Sequence, residues 1–287
     1  MSAEPESFDT NCPLCKSPSR QVFQKHGYWI YDCDRCQHRF VPIAATSQHV
    51  AQVYDDNYFN STGAGYPDYL GESDMLIAHG RRYGKLLTRY MQPGTVLDIG
   101  AAAGFILKGL TESGWEGAGV EPNANMAHHA RNVLGLDVTA GALEDFQTTQ
   151  TYDLVTMIQV AAHFYDVPRA FAKAAAMTKP GGYWLVETWN RDSIVARGLG
   201  QNWHEYSPPS VLHWWTPAVL RDTVREYGFE AIAQGRPEKW LNGAHAKSLM
   251  QFKLEKSPLR VLLGMIPDKL PIPYPTFDLF WALYRKV

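Results

Sequence analysis

Val96-Leu97-Asp98-Ile99-Gly100-Ala101-Ala102-Ala103-Gly104-Phe105-Ile106-Leu107-Lys108 is the stretch that decides the fold. A short apolar run reaches an aspartate, bends through small residues and continues as an amphipathic segment. That pattern predicts a strand that turns tightly beneath a helix N-terminus, where backbone N–H groups face a ligand. Taken alone, such a turn suits many nucleotide-like ligands.

The chain on either side narrows the reading. Trp115 to Val120 predicts a second strand, which ends in Glu121-Pro122-Asn123 before a helical pattern from Ala124 to Leu134. An acidic side chain about 20 residues beyond a glycine turn, at the end of the next strand, accepts the two hydroxyl hydrogens of a ribose. Asp137-Val138-Thr139 reads as a third strand and Tyr152 to Ile158 as a fourth. A helix over Val167–Met177, a turn at Pro180-Gly181-Gly182 and a fifth strand from Tyr183 to Thr188 follow. This alternation predicts an α/β fold with a parallel sheet covered on both faces. Upstream, Ser73 to Met91 reads as a helix that Pro93-Gly94 ends.

All four cysteines lie in the first 36 residues, as Cys12-Pro13-Leu14-Cys15 and Cys33-Asp34-Arg35-Cys36, with 17 residues between the pairs. Two such knuckles match a tetrahedral zinc site, and Val22-Phe23 and Tyr28 to Tyr31 read as a hairpin turning near His26-Gly27. Residues 1–43 are therefore expected to form a zinc-ribbon-like module. Four thiolates close the coordination sphere, so the metal is assigned a structural role. Residues 44–91 form a connection, and its aromatic and acidic stretches Tyr54 to Phe59 and Gly63 to Tyr69 suit either a lid or a surface loop. Residues 92–287 form the main domain.

The 287 residues are 45% hydrophobic and 20% charged, with a net charge of -2, which fits a globular core rather than disorder. No excess of basic residues advertises a polyanion, so nucleic acid is disfavoured as a partner. The start Ser2-Ala3-Glu4-Pro5-Glu6 lacks the basic and apolar regions expected of a signal peptide, no apolar run reaches membrane-spanning length, and a cytoplasmic location is expected.

Past the fifth strand, Asn202-Trp203-His204-Glu205-Tyr206-Ser207-Pro208-Pro209 is a rigid polar and aromatic loop, and Trp214 and Trp215 read as core. Thr216-Pro217 opens a helix through Tyr227, and Phe229 to Gln234 is strand-like. Residues 243–276 read as an insertion before a last strand over Phe277–Arg285. Its segment Ala246–Glu255 is either helix or strand, and an apolar helix over Pro258–Ile266 precedes a proline-rich extended run. That part suits packing, a dimer contact, a cap over a hydrophobic acceptor or peripheral membrane contact. The oligomeric state stays open.

With these pieces placed, the chain resembles class I S-adenosylmethionine-dependent methyltransferases that carry an N-terminal zinc-ribbon-like segment. The resemblance rests on Val96 to Gly104, on Gly119-Val120-Glu121-Pro122, and on Tyr152-Asp153-Leu154-Val155 with Lys179-Pro180-Gly181-Gly182. It implies a doubly wound, Rossmann-like, seven-stranded sheet. It also implies that Asp98, Gly100, Ala101, Ala102, Gly104 and Phe105 form the methionine-side turn. Glu121 and Pro122 would lie at the ribose, Leu143 and Glu144 at the adenine, and Gln159 near the sulfonium. Ala102 replaces a common glycine, and alanine suits a position outside the left-handed region, so cofactor binding is expected to survive.

Relatives often carry a Glu-His pair after the fourth strand, where this chain has Ala162-His163. His163 is the first candidate for a general base or acceptor contact, and a loop histidine without chemistry is the alternative. His204, Glu205, Tyr206 or His213 could converge with it. The expected reaction is methyl transfer to oxygen, nitrogen or carbon of a small-molecule acceptor such as a metabolite, sugar or lipid-like compound. The competing readings are an RNA methyltransferase and a cofactor-binding scaffold without catalysis.

Overall fold

The computed structural model describes residues 10–55, 58–59, 68–244, 246–247, 267–268 and 270–287. Most of the Gly63–Tyr69 stretch, nearly all of Ala246–Glu255 and the expected apolar helix at 258–266 lie outside the described residues. In chain order the elements begin with β1 (Thr10–Asn11), β2 (Pro18–Lys25), β3 (Tyr28–Cys33), β4 (Arg39–Phe40), α1 (Ser47–Val53) and α2 (Ser73–Leu87). There follow β5 (Thr95–Ile99), α3 (Phe105–Thr111), β6 (Glu116–Glu121), α4 (Ala124–Asn132), β7 (Asp137–Ala140), β8 (Tyr152–Ile158), α5 (Val167–Ala176) and β9 (Thr178–Trp189). The last are α6 (Ile194–Leu199), β10 (His213–Trp214), α7 (Pro217–Arg225), β11 (Phe229–Gly235), β12 (Lys239–Leu241), β13 (Ile272–Tyr274) and β14 (Leu279–Lys286). The chain divides into two compact units, Met1–Val50 with Leu143–Arg236 and Phe277–Val287, and Ala51–Ala142 with Pro237–Thr276.

The first unit holds two sheets. In one, the strands run β11-β14-β9-β8, with β8 parallel to β9 and β14 antiparallel to both β9 and β11. The expected turn at Pro180-Gly181-Gly182 lies inside β9. Tyr152 faces Thr178 and Leu154 faces Tyr183, so the turn residues bulge out of a strand that begins before them. Buried Phe171 from α5 packs between Trp184 and Trp215, at 5.5 and 6.0 Å, and Trp184 lies 4.0 Å from Phe229. The Trp184 indole N–H, too costly to bury unpaired, donates to Thr178 Oγ1 at 2.8 Å. The second sheet, β1-β2-β3-β4-β10, is the cysteine module with a strand added from the later chain: His213 faces Phe40 and Trp214 faces Arg39.

The second unit contains β5, β6 and β7, all parallel, in that order. With the four strands of the first unit these make the seven expected of the main domain, and the fold is α/β with mostly parallel strands. The Asn123 side chain accepts Met126 N–H at 2.9 Å and so caps the start of α4. α2 and α3 cross at a pair of glycines. A Cβ on Gly80 would lie 2.2 Å from Ile106 O, and one on Gly109 would lie 2.2 Å from Ile77 O. β12 and β13 form an antiparallel ribbon, with Lys239 facing Tyr274 and Leu241 facing Ile272. No helix of the described residues is long and apolar enough to cross a membrane.

Candidate functional site

In the second unit, β5 ends at Ile99 and the chain turns through Gly100 and Ala101, whose N–H groups both reach Val120 O of β6, at 2.8 and 3.1 Å. Gly104 caps α3 at φ +84°, where a Cβ would stand 2.7 Å from Leu136 Cδ1. Ala102, expected outside the left-handed region, lies within it at φ +46°. The reason is a bond: the Ala102 N–H donates to Glu121 Oε2 at 2.8 Å, while Asn123 N–H donates to Oε1 at 2.7 Å. Both oxygens of Glu121 are thus fixed by main-chain donors, and each keeps a second lone pair for a hydroxyl hydrogen. Burial, with the Asp98 carboxylate nearby, raises the Glu121 pKa to about 7 despite those two donors. Asp98 is buried on β5, and Pro122 sits between Glu121 and the α4 cap.

The segment before α2 packs on this turn. Phe59, Tyr69, Ala102, Ala103, Phe105 and Met126 form one buried cluster, with Tyr69 stacked on Phe105 at 5.7 Å. Asn123 Nδ2 donates to Tyr54 O at 2.8 Å, which ties the same segment to the turn after β6.

In the first unit, Leu143 and Glu144 are both buried. The Glu144 carboxylate accepts Tyr165 N–H at 2.9 Å, and burial raises its pKa to about 7. Gln159 closes β8 at φ +62°, strained for a side chain of its size, and its amide donates to Glu187 Oε1 at 2.6 Å. Glu187, a fully buried carboxylate on β9, is a functional candidate that the sequence did not single out; an acid inside an apolar strand was its only signal.

His163 Nδ1 lies 2.8 Å from Ser210 O. A carbonyl only accepts, so the proton is on Nδ1 and the lone pair on Nε2, the tautomer a base requires. Burial lowers the His163 pKa from its ordinary value, opposed by the bond to Ser210 O. His204 is half-exposed, 3.3 Å from Glu205 Oε1 and edge-on to Trp189 at 5.0 Å, so the carboxylate missing beside His163 stands beside His204 instead. Tyr206 is buried, and its hydroxyl accepts Arg39 Nη1–H at 2.6 Å. Arg39 in turn forms a two-pronged pair with Asp32 at 2.6 and 2.7 Å. His213 bonds His38 and Phe164 O, each at 3.0 Å.

The sulfurs of Cys12, Cys15, Cys33 and Cys36 lie within 4.8 Å of one another, with Cys12–Cys36 at 3.6 Å and Cys15–Cys33 at 3.4 Å. Tetrahedral zinc with bonds of about 2.3 Å separates its thiolates by about 3.8 Å, so the set fits that ion. The knuckles repeat one another: Lys16 N–H donates to Cys12 O and Gln37 N–H to Cys33 O, with both donors left-handed at φ 59° and 60°.

The parallel strands, the small-residue turn and the glutamate at the end of β6 define the class I S-adenosylmethionine-dependent methyltransferases. A family model described as a methyltransferase domain matches residues 76–234, more than half the chain, and the protein belongs to that family. Ubiquinone biosynthesis O-methyltransferases are similar. That of Bradyrhizobium sp. (strain ORS 278) is 30% identical over 139 residues, covering 46% of this chain and 55% of the relative. That of Nitrobacter winogradskyi is 30% identical over 155 residues, covering 50% and 58%. The chain thus spans little more than half the length of these curated relatives. Among solved structures, magnesium protoporphyrin IX methyltransferase from Synechocystis PCC 6803, with bound S-adenosylhomocysteine, shares the fold at a TM-score of 0.52 and 14% identity, covering 80% of this chain and 97% of that one. A possible histamine N-methyltransferase from Thermotoga maritima gives 0.51 at 20%, covering 76% and 93%.

Proposed function

We propose that the protein transfers a methyl group from S-adenosylmethionine to a small-molecule acceptor, and that its four cysteines hold a structural zinc ion. The observation that carries the donor half is Glu121, whose two oxygens are held by Ala102 N–H and Asn123 N–H with lone pairs left for a ribose diol. Asp98, Gly100, Ala101, Ala102, Gly104, Phe105 and Pro122 belong to the same turn system and would line the donor. Leu143, Glu144 and Gln159 are carried as adenine-side and sulfonium-side residues. The small-molecule class draws support from the names of the ubiquinone relatives.

The donor, when bound, supplies a methyl group on a sulfonium, already activated with a neutral leaving group. What remains for this chain is to hold the reactants and remove the acceptor's proton. His163 is the first candidate for that proton, through Nε2, with Ser210 O holding Nδ1–H so that the ring cannot present the wrong nitrogen. His204, with Glu205 beside it, is the second. Tyr206 contributes through Arg39 rather than through a free hydroxyl.

The test is binding followed by chemistry. The purified protein is expected to bind S-adenosylhomocysteine with micromolar or tighter affinity, and Glu121→Ala to abolish that binding. Zinc-loaded protein that binds no cofactor would overturn the reading.

A further inference from the structure

The cysteine module and the loop that carries His163 are joined by more bonds than an attached domain requires. Leu212 N–H and His213 N–H both donate to Ala162 O, at 2.9 and 3.0 Å, and Trp215 Nε1–H donates to Ala161 O at 2.9 Å. The His163 ring itself donates to Ser210 O. His163 is therefore clamped on its N-terminal flank and through its ring by one segment, 210–215. That segment is strand-paired with the module: Val41 N–H donates to Leu212 O at 3.0 Å, and β10 lies against β4.

Two buried imidazoles complete the path. Phe164 O only accepts, so His213 carries its proton on Nε2 and bares Nδ1, and His38 must donate to that atom from its own Nε2. His38 stacks on Phe40 and tilts against Trp215, and its carbonyl accepts Cys33 N–H at 2.9 Å, inside the second knuckle. The order is thus Cys33 main chain, His38, His213, Phe164 main chain, with His163 one residue away.

We infer that the cysteine module is a positioning element for His163, and that His213 transmits its order to the 161–164 loop. The inference deepens the reading of His163 as a base and is tested separately from it. A metal at the four sulfurs fixes the knuckle that holds His38. His38 fixes the tautomer and tilt of His213, which holds Phe164 O on one side of His163 while Ser210 O holds its ring. Nothing in this path asks the metal for chemistry.

The readout is the imidazole N–H proton of His163, which a bond to Ser210 O shields from exchange with water. It is observed by NMR in full-length protein labelled with nitrogen-15 at histidine, and assigned by its disappearance in His163→Gln. The expected result is a sharp resonance in the zinc-loaded protein and its loss after chelation. It should also be lost in zinc-loaded His213→Phe, which keeps a ring and removes both bonds. His213→Gln, which still donates and accepts through one amide, should restore it at least in part. A cooperative thermal transition and a parent-like far-ultraviolet circular dichroism spectrum show that His213→Phe is folded. A resonance that persists in folded His213→Phe would overturn the inference whatever the chelated protein does. If His163→Gln retains full methyl transfer, the base assignment falls while this measurement still decides the coupling.

Discussion

Glu121 accepts the backbone N–H of Ala102 at 2.8 Å, and that bond draws a non-glycine residue into the left-handed region at φ +46°. Conformation and carboxylate placement are therefore one feature: the residue that bears the backbone strain also holds the proposed ribose acceptor in place. Replacing Glu121 shows which effect dominates. Glu121→Gln keeps the size but puts an NH2 against the N–H of Ala102 or Asn123, so it both loses the charge and sets donor against donor. Two charge-assisted bonds of about 1.5–3 kcal/mol each are at stake. An affinity loss of about 100-fold for S-adenosylhomocysteine by calorimetry is expected, and an unchanged affinity would remove Glu121 from the donor site.

The same carboxylate sets a pH dependence. Burial, with Asp98 nearby, raises the Glu121 pKa to about 7, and a ribose diol requires the ionised form because both hydroxyls donate. Binding is therefore complete above pH 7 and is lost as the pH falls through that value. The apparent dissociation constant should rise about tenfold at pH 6 and about 100-fold at pH 5, relative to pH 8. Titrations with S-adenosylhomocysteine across that range measure the slope, and Glu121→Gln should flatten it.

Ala102→Gly isolates the strain. The left-handed conformation costs an alanine roughly 1–2 kcal/mol, and the buried methyl group returns about 0.8 kcal/mol of that. A net gain of about 0.2–1.2 kcal/mol in stability is expected, read as a rise of up to about 3 °C in the thermal midpoint with cofactor affinity kept within a few-fold. Gly104→Ala is the opposite case. Its φ is +84° and its new Cβ would stand 2.7 Å from Leu136 Cδ1 and 3.0 Å from Ala130 Cβ, so a loss of about 2–4 kcal/mol is expected.

These cases show where the sequence was readable. β5 and β8 follow the expected limits because apolar runs bounded by turn residues leave few ways to bury a strand. The hairpin at His26-Gly27 and the cap at Thr216 were equally plain, since each residue has a local reason to be there. The left-handed Ala102 was hidden because its cause, Glu121, lies on the next strand. The pairing of β10 with β4 was hidden too: two residues carry no periodicity, and Trp214 reads as core whichever sheet it joins. Glu144 has the same character, since its partners Tyr165 and Asp166 lie past β8.

Tyr206 gives the last test, because its sequence context suggested chemistry and its hydroxyl is bound to the module. Arg39 donates to it at 2.6 Å while gripping Asp32 with its other two donors, and Phe23 of β2 packs edge-on against the ring at 4.8 Å. Arg191, 3.8 Å from the same Asp32, adds a second cation beside one carboxylate, so the phenol oxygen is an acceptor this cluster uses. Tyr206→Phe removes one charge-assisted bond and leaves a buried Arg39 N–H unpaired, a cost of about 1–3 kcal/mol in stability. If the hydroxyl serves docking alone, that variant melts earlier while its pH–rate profile, measured with any acceptor that supports turnover, keeps the parent's limbs. A lost limb with an unchanged melting midpoint would instead place the hydroxyl in proton transfer. Arg39→Met distinguishes the two once more: it should reproduce the stability loss of Tyr206→Phe, and combining the two should cost less than the sum of the single changes, since both break the same bond.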